Sequence, residues 1–328
     1  MTRQDVYARL LDAVTAGCLP EQGNAIPSSE NGLVHLAREA WQRAITRDFP
    51  VLLTVWAADA VGSSSGVVLD AAAAWSGLYL AAKLLDDLQD GDPGILGGDA
   101  SPATVLNLAT GLVFAAHGCL TGDADSDSSS IRLRLAGEFS RYSLQVAEGQ
   151  ELGLQTPPEG EAVLAWAWDV LRKKGALPFA LACRAGAIAG EAPESAVEVM
   201  TELGRCIGEA VQLMDDALGL RARDVADIRS VAIPLAYGLS VADDEDSRSL
   251  TDLAGAVHAG NLEAVEPLCL LLERMGAMRY LSIGAAASIA RARSLLSSPS
   301  VRVPSAGAQA LAGVVDWLDP ASSHPSGT

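Results

Sequence analysis

The chain has 328 residues, enough for one large domain or two ordinary ones. Its 23 Lys+Arg stand against 41 Asp+Glu, and a net charge of −18 argues against nucleic acid as a partner, since phosphate neutralisation needs basic surface. Hydrophobic residues reach 49% but aromatic ones only 5%, so the core must be built from Ala, Leu and Val, a mix that favours close-packed helices over β-sandwiches.

Helical periodicity runs through the chain, and no segment alternates as a strand would. Helices are predicted over 3–16, 31–45, 50–61 and 69–91. Asp5, Arg9 and Asp12 interrupt the first of them, which argues against a signal peptide. The apolar stretch from Ala71 to Ala82 stops at Lys83, short of the roughly 18 residues of a membrane span. No integral membrane association is therefore expected. The Pro- and Gly-rich segment 92–102 separates these helices from predicted helices 103–120 and 131–152, between which 121–130 is polar and acidic. Two prolines in 156–161 precede helices 161–190, 195–220 and 231–239. The segment 240–249 reads as a charged loop, followed by helices 261–275, 278–297 and 306–318 and a disordered tail, 319–328. No loop looks like a domain linker, so residues 1–318 are expected to form a single large helical bundle; two helical domains split near 125 or 156 are the alternative. Cys18, Cys119, Cys183, Cys206 and Cys269 are scattered without ligand spacing, as buried thiols of a cytoplasmic protein would be. No His is paired with a Ser or Cys nucleophile in a hydrolase pattern.

Chemistry concentrates at two helix ends. In Leu84-Leu85-Asp86-Asp87-Leu88-Gln89-Asp90 the carboxylates sit at i, i+1 and i+4, crowded near the negative end of the helix dipole. Gln212-Leu213-Met214-Asp215-Asp216 closes a second apolar helix in the same way. Each cluster is either a solvated acidic helix end or a site for cations. Oxygen-only donors suit Mg²⁺, which takes one or two carboxylates together with waters and substrate phosphates. A cluster of Mg²⁺ shared by both motifs would clamp a diphosphate and stabilise pyrophosphate as a leaving group. Trp75 and Tyr79 share the face of Asp86 and read either as core packing or as a cation–π floor. Ala82, with Ala81, leaves depth beneath the motif. Lys83 reads as a counter-ion for Asp86 and Asp87 or as a diphosphate ligand. Pro178, with Gly175, predicts a kink in its helix.

From about Arg47 to Tyr237 the sequence resembles the trans-isoprenyl diphosphate synthases, of the all-α class I isoprenoid synthase fold. Asp86–Asp90 looks like their DDxxD motif, Glu148-Gly149-Gln150 like their EGQ segment and Lys173-Lys174-Gly175-Ala176-Leu177 like KTGxL. Gln212–Asp216 looks like QxxDD, and Asp227-Ile228 with Ile233-Pro234-Leu235 like the D-L…TLP stretch. The resemblance implies a bundle with a central substrate cavity, a homodimer, and an allylic prenyl diphosphate of C10–C20 as substrate. Catalytic roles fall to Asp86, Asp87, Lys173 and Gln212. Metal ligation falls to Asp86, Asp87, Asp90, Asp215 and Asp216, and diphosphate binding to Arg172, Lys173, Arg221 and Arg223. Trp75, Tyr79, Ala82, Gln150 and Phe179 would line the pocket.

The departures from the family pattern are specific. The GKRxRP segment that receives isopentenyl diphosphate reads Ile45-Thr46-Arg47-Asp48-Phe49-Pro50, with one basic residue left. Gly91–Gly98, where an arginine pair is expected, holds none, and Gly219 replaces the last aspartate of the second motif. A second diphosphate would lack its Arg or Lys forks. The first expectation is therefore a terpene synthase ionising a single prenyl diphosphate. The alternatives are a prenyltransferase, either chain-elongating or with an unusual acceptor, and an inactive or regulatory subunit of a hetero-oligomeric synthase.

Overall fold

The computed structural model describes residues 1–18, 32–62, 66–92, 94–97, 100–121, 128–160, 162–224, 232–302 and 304–319. Among them helix follows helix and no strand occurs, as the Ala- and Leu-rich, aromatic-poor composition predicts. The predicted tail from residue 320 on, and Asp227-Ile228, lie outside the described residues. The helices group into two compact units.

The first unit comprises Met1–Arg141, Leu181–Thr201 and Pro299–Leu311. It is organised on α4 (Gly66–Asp90), which packs along α5 (Pro102–Thr121), while α1 (Arg3–Cys18) lies against both. Ala71 to Ala74 are strong helix formers and are fully buried, so their small side chains let neighbouring helices approach closely. Leu80 and Leu84 continue the buried face, each contributing about 1.5–3 kcal/mol. α2 (Leu33–Ala44) and α3 (Leu53–Val61) also contact α4.

One charge sits inside this apolar helix. Asp70, 7% exposed, accepts from Arg9 of α1 and, at 2.6 Å, from Arg132 of α6 (Ser129–Leu154). Both arginines also donate to the carbonyl of Cys119, and Arg132 to that of Leu120, so the pair covers carbonyls that the last turn of α5 leaves without a helical partner.

Two helices are long and apolar enough to cross a membrane. The apolar window of α4 is 72% buried, as in the core helix of a soluble protein. That of α5 is only 39% buried, and the sequence reading overlooked it.

The second unit comprises Tyr142–Ala180, Glu202–Ser298 and Ala312–Thr328. In chain order its helices are the second half of α6, α7 (Ala162–Val170), a π-helical segment (Leu171–Ala176), the start of α8 (Leu177–Ala189) and most of α9 (Glu194–Ala222). They are followed by α10 (Ala232–Val241), α11 (Asp244–His258), α12 (Val265–Arg274), α13 (Ala277–Leu296) and the end of α14 (Ala306–Trp317). Asp319, placed in the tail by sequence, pairs with Arg293 at 2.8 Å.

Two predictions need correction here. The supposed loop 240–249 begins a helix. Asp243 accepts from the amides of Glu245 and Asp246 at 3.0 and 2.9 Å, and three acidic residues in the first turn lie at the positive end of the dipole. The acidic run that read as a breaker is a helix start. Within the predicted helix 161–190 the residues from Ala162 to Ala189 are helical, but the perturbation expected from Pro178 takes the form of a π turn. The Leu177 amide bonds to the Arg172 carbonyl, and Pro178, which has no N–H to give, follows directly.

Candidate active site

The first aspartate motif ends α4. At about 100° per residue, Trp75, Tyr79, Asp86 and Asp90 fall in one stripe of roughly 60°. Trp75 is fully buried and Tyr79 stacks on it, with ring centroids 4.9 Å apart and planes 16° apart. Asp86 is half-buried; Asp90 and Ala82 are exposed.

Asp87 is turned away from that stripe. Its Oδ2 accepts from the Ile95 amide at 3.1 Å and its Oδ1 lies 3.4 Å from Lys83 Nζ. The chain returns to Asp87 because Gly94 adopts φ +64°; a Cβ there would stand 3.1 Å from Asp87 Oδ2. Arg43 holds the same turn from outside, donating to the Ile95 carbonyl at 3.3 Å. Burial disfavours the Lys83 charge, but Asp87, Tyr79 and Asp86 together outweigh it and raise the ammonium pKa above its usual value. Lys83 is thus paired with Asp87. Beside Asp87, a cavity of about 460 Å³ is lined by Leu84, Leu88, Ile95, Leu96 and Val105. The expected pocket residues Trp75, Tyr79, Ala82, Gln150 and Phe179 are not among those lining it.

In the second unit the π segment presents Arg172 and Lys173. Lys173 Nζ lies 3.1 Å from Asp169 and 3.2 Å from Glu148, and these bonds, the one to Asp169 foremost, raise its pKa. Arg172 stands over the Trp168 ring at 5.2 Å and reaches Glu209 at 3.3 Å, while Ser288 donates to the other oxygen of Glu209 at 3.0 Å. Gly149 makes the close approach of α6 to the π segment possible. A Cβ there would meet the Lys173 Cβ at 2.5 Å and the Lys174 amide nitrogen at 2.7 Å. One at Gly175 would meet Gln212 Oε1 at 2.8 Å. Gln150 is half-buried next to Gly149, and Phe179 is buried.

On α9, Gln212 donates to Asp216 Oδ1 at 3.2 Å, and Asp215 is exposed. Arg221 is exposed. Arg223 is bound by Glu273 and Glu266, at 2.7 and 2.9 Å, which hold its pKa well above the usual arginine value.

The sequence reading missed these anionic partners. Asp169 to Lys173 is an i, i+4 pair and was legible; Glu209, Glu266 and Glu273 lie 37 or more residues from the arginines they meet and left no local signal.

The donor chemistry suits Mg²⁺. Asp86 and Asp90, one turn apart on one face, and Asp215 with Asp216 offer oxygen ligands only. Among the described residues no three His, Cys, Asp or Glu side chains are arranged to hold an ion by themselves. An Mg²⁺ ion held by these carboxylates would complete its shell with waters and substrate phosphate.

The chain is similar to known proteins over most of its length. The chain is 25% identical over 281 residues to a short chain isoprenyl diphosphate synthase of Methanothermobacter thermautotrophicus, covering 81% of this chain and 83% of that protein. Its fold matches the geranylgeranyl pyrophosphate synthetase of Pyrococcus horikoshii at a TM-score of 0.78, with 17% identity, over 97% of this chain and 95% of the other. It also matches a Caulobacter crescentus polyprenyl synthase, solved in complex with calcium and isoprenyl diphosphate, at 0.76, with 19% identity, over 96% and 93%. The sequence profile of the polyprenyl synthetases matches residues 51–232, more than half of the chain. The protein is thus an enzyme of the isoprenoid synthase class, and it belongs to the polyprenyl synthetase family.

Proposed function

We propose that the protein is a prenyl diphosphate synthase, a prenyltransferase that ionises an allylic prenyl diphosphate and joins the prenyl group to a second substrate. The observation that carries this is the Asp86/Asp90 face at the end of α4 in a chain whose relative over four-fifths of its length is named a short chain isoprenyl diphosphate synthase. The terpene synthase expected first finds no support among the relatives, and prenyl transfer takes its place.

In this reading Asp86, Asp90, Asp215 and Asp216 hold Mg²⁺, which neutralises diphosphate charge and makes pyrophosphate a better leaving group. Asp87 keeps the turn at Ile95 in place while its other oxygen faces Lys83. Arg172, Lys173 and Arg221 bind the diphosphate; the first two exchange part of their present carboxylate contacts for phosphate oxygens. Apolar helix surfaces around the prenyl chain exclude water from the cationic carbon.

The whole chain acts as one synthase domain, a reading supported by single solved chains that match 96–97% of it. It works in the cytoplasm as a homodimer. α5 supports the dimer, since Leu106, Thr110 and Phe114 recur every four residues along its exposed side, with Phe114 71% exposed.

The test incubates the purified protein and Mg²⁺ with C10, C15 or C20 allylic diphosphates, with and without isopentenyl diphosphate. A longer diphosphate formed only when both substrates are present is the expected result. A hydrocarbon or alcohol from one substrate would restore the terpene synthase, a reading that the absence of Arg and Lys from Gly91–Gly98 favours. No product under any condition would leave the regulatory subunit.

A further inference from the structure

The end of α9 is built in an unusual way for a helix end. Arg223 follows the last helical residue with φ +56°, a left-handed conformation that disfavours any residue with a Cβ and is ordinarily taken by glycine. The Asp224 amide bonds back to the Gly219 carbonyl at 3.3 Å, closing the turn. The Arg223 side chain then covers a further carbonyl of the last turn, donating from Nη1 to Leu220 at 2.6 Å. The same Nη1 reaches Glu273 at 2.7 Å and Nε reaches Glu266 at 2.9 Å. These two glutamates are seven residues apart, two turns along one face of α12. Beneath them Leu220 packs with Leu268, Cys269 and Leu272 of α12.

We infer that Arg223 is a positioning residue for the second aspartate motif, fastening the end of α9 to α12 so that Asp215 and Asp216 keep their place. The fastening is needed because Gly219, standing between those aspartates and the helix end, weakens the last turn. A glycine at 223 would suit the backbone better, but it would give up the contacts that the Arg223 side chain makes. Its partners are the glutamates of α12 and the helix's own carbonyl. The inference rests on the proposed function only where it assigns Asp215 and Asp216 to Mg²⁺ and diphosphate.

Three variants test it: Arg223→Gly, which accepts the left-handed backbone without strain; the double variant Glu266→Gln/Glu273→Gln; and the triple combination. Hydrogen exchange of the amides of residues 215–222 is measured in each. Calorimetry follows binding of inorganic pyrophosphate in the presence of Mg²⁺. Arg223→Gly and the double variant should both lose exchange protection and weaken pyrophosphate binding by roughly 10–100-fold, the effect of removing a partner that orients a ligand. The triple variant should be no worse than either. Opposite signs would overturn the inference. If Arg223 itself grips diphosphate, removing the glutamates leaves binding intact or tighter while Arg223→Gly weakens it. Unchanged exchange in every variant would also overturn it. If the unaltered protein binds no pyrophosphate, the metal-site reading fails, and exchange protection alone still decides whether Arg223 holds the helix end.

Discussion

The ends of α4 and α9 carry the same sequence signal, an Asp pair closing an apolar helix, and use it differently. At α4 the pair stands at the last turn, and the chain doubles back through Gly94, so Asp87 becomes the anchor of the following segment while Asp86 and Asp90 share the stripe beside it. At α9 the pair stands two turns before the end. Gln212 steadies Asp216 from within the helix, and the terminus is fastened by an arginine to another helix. A doubled aspartate therefore places its two carboxylates in different surroundings, set by how the chain leaves the helix.

The largest expected effect breaks the comparison at α4. Asp86→Asn should lower kcat by more than the roughly 100-fold typical of losing an outer partner, with the helical circular dichroism unchanged. Asp87→Ala should lower kcat and also lower the urea midpoint below that of Asp86→Asn, since it removes the carboxylate that holds the Ile95 amide. Equal midpoints for the two variants would remove the distinction drawn between them. Next comes the platform under the first motif. Asp70→Ala leaves Arg9 and Arg132 together without their shared carboxylate and should cost about 3 kcal/mol in urea unfolding. In the second unit, Gly149→Ala pushes a methyl against Lys173 and the Lys174 backbone. A loss of about 1–3 kcal/mol is expected, together with a rise in KM for the allylic diphosphate. Smallest is Asp243→Ala, about 1 kcal/mol through loss of the α11 cap, with kinetics unaffected.

Much of the fold was legible because apolar periodicity and Pro/Gly punctuation are local signals, and the helix cores fall where they predict except for Asp244–His258, which was not predicted. Acidic residues misled at 240–249, where Asp243 and its neighbours serve as cap and first turn, a role that depends on where the helix begins and not on their charge alone. The π turn was signalled by Pro178 but not its form, since a missing amide can be accommodated by a kink or by one wider turn. Asp70 gave no signal at all. It is one carboxylate in an alanine-rich run, and its partners are 61 and 62 residues away. At the site, the spacing of Asp86 and Asp90 was readable, whereas the engagement of Asp87 depended on Gly94 bringing the chain back. The missing arginines after the first motif suggested a single-substrate reaction, yet the segment shows only what does not bind there; relatives over most of the chain point to prenyl transfer.

Isopentenyl diphosphate labelled in its carbon chain tests the central claim most directly. With purified protein, Mg²⁺ and an allylic diphosphate, label should pass into a longer prenyl diphosphate, and Asp86→Asn should abolish that transfer. Unlabelled hydrocarbon or alcohol, formed equally well without the isopentenyl substrate, would contradict it.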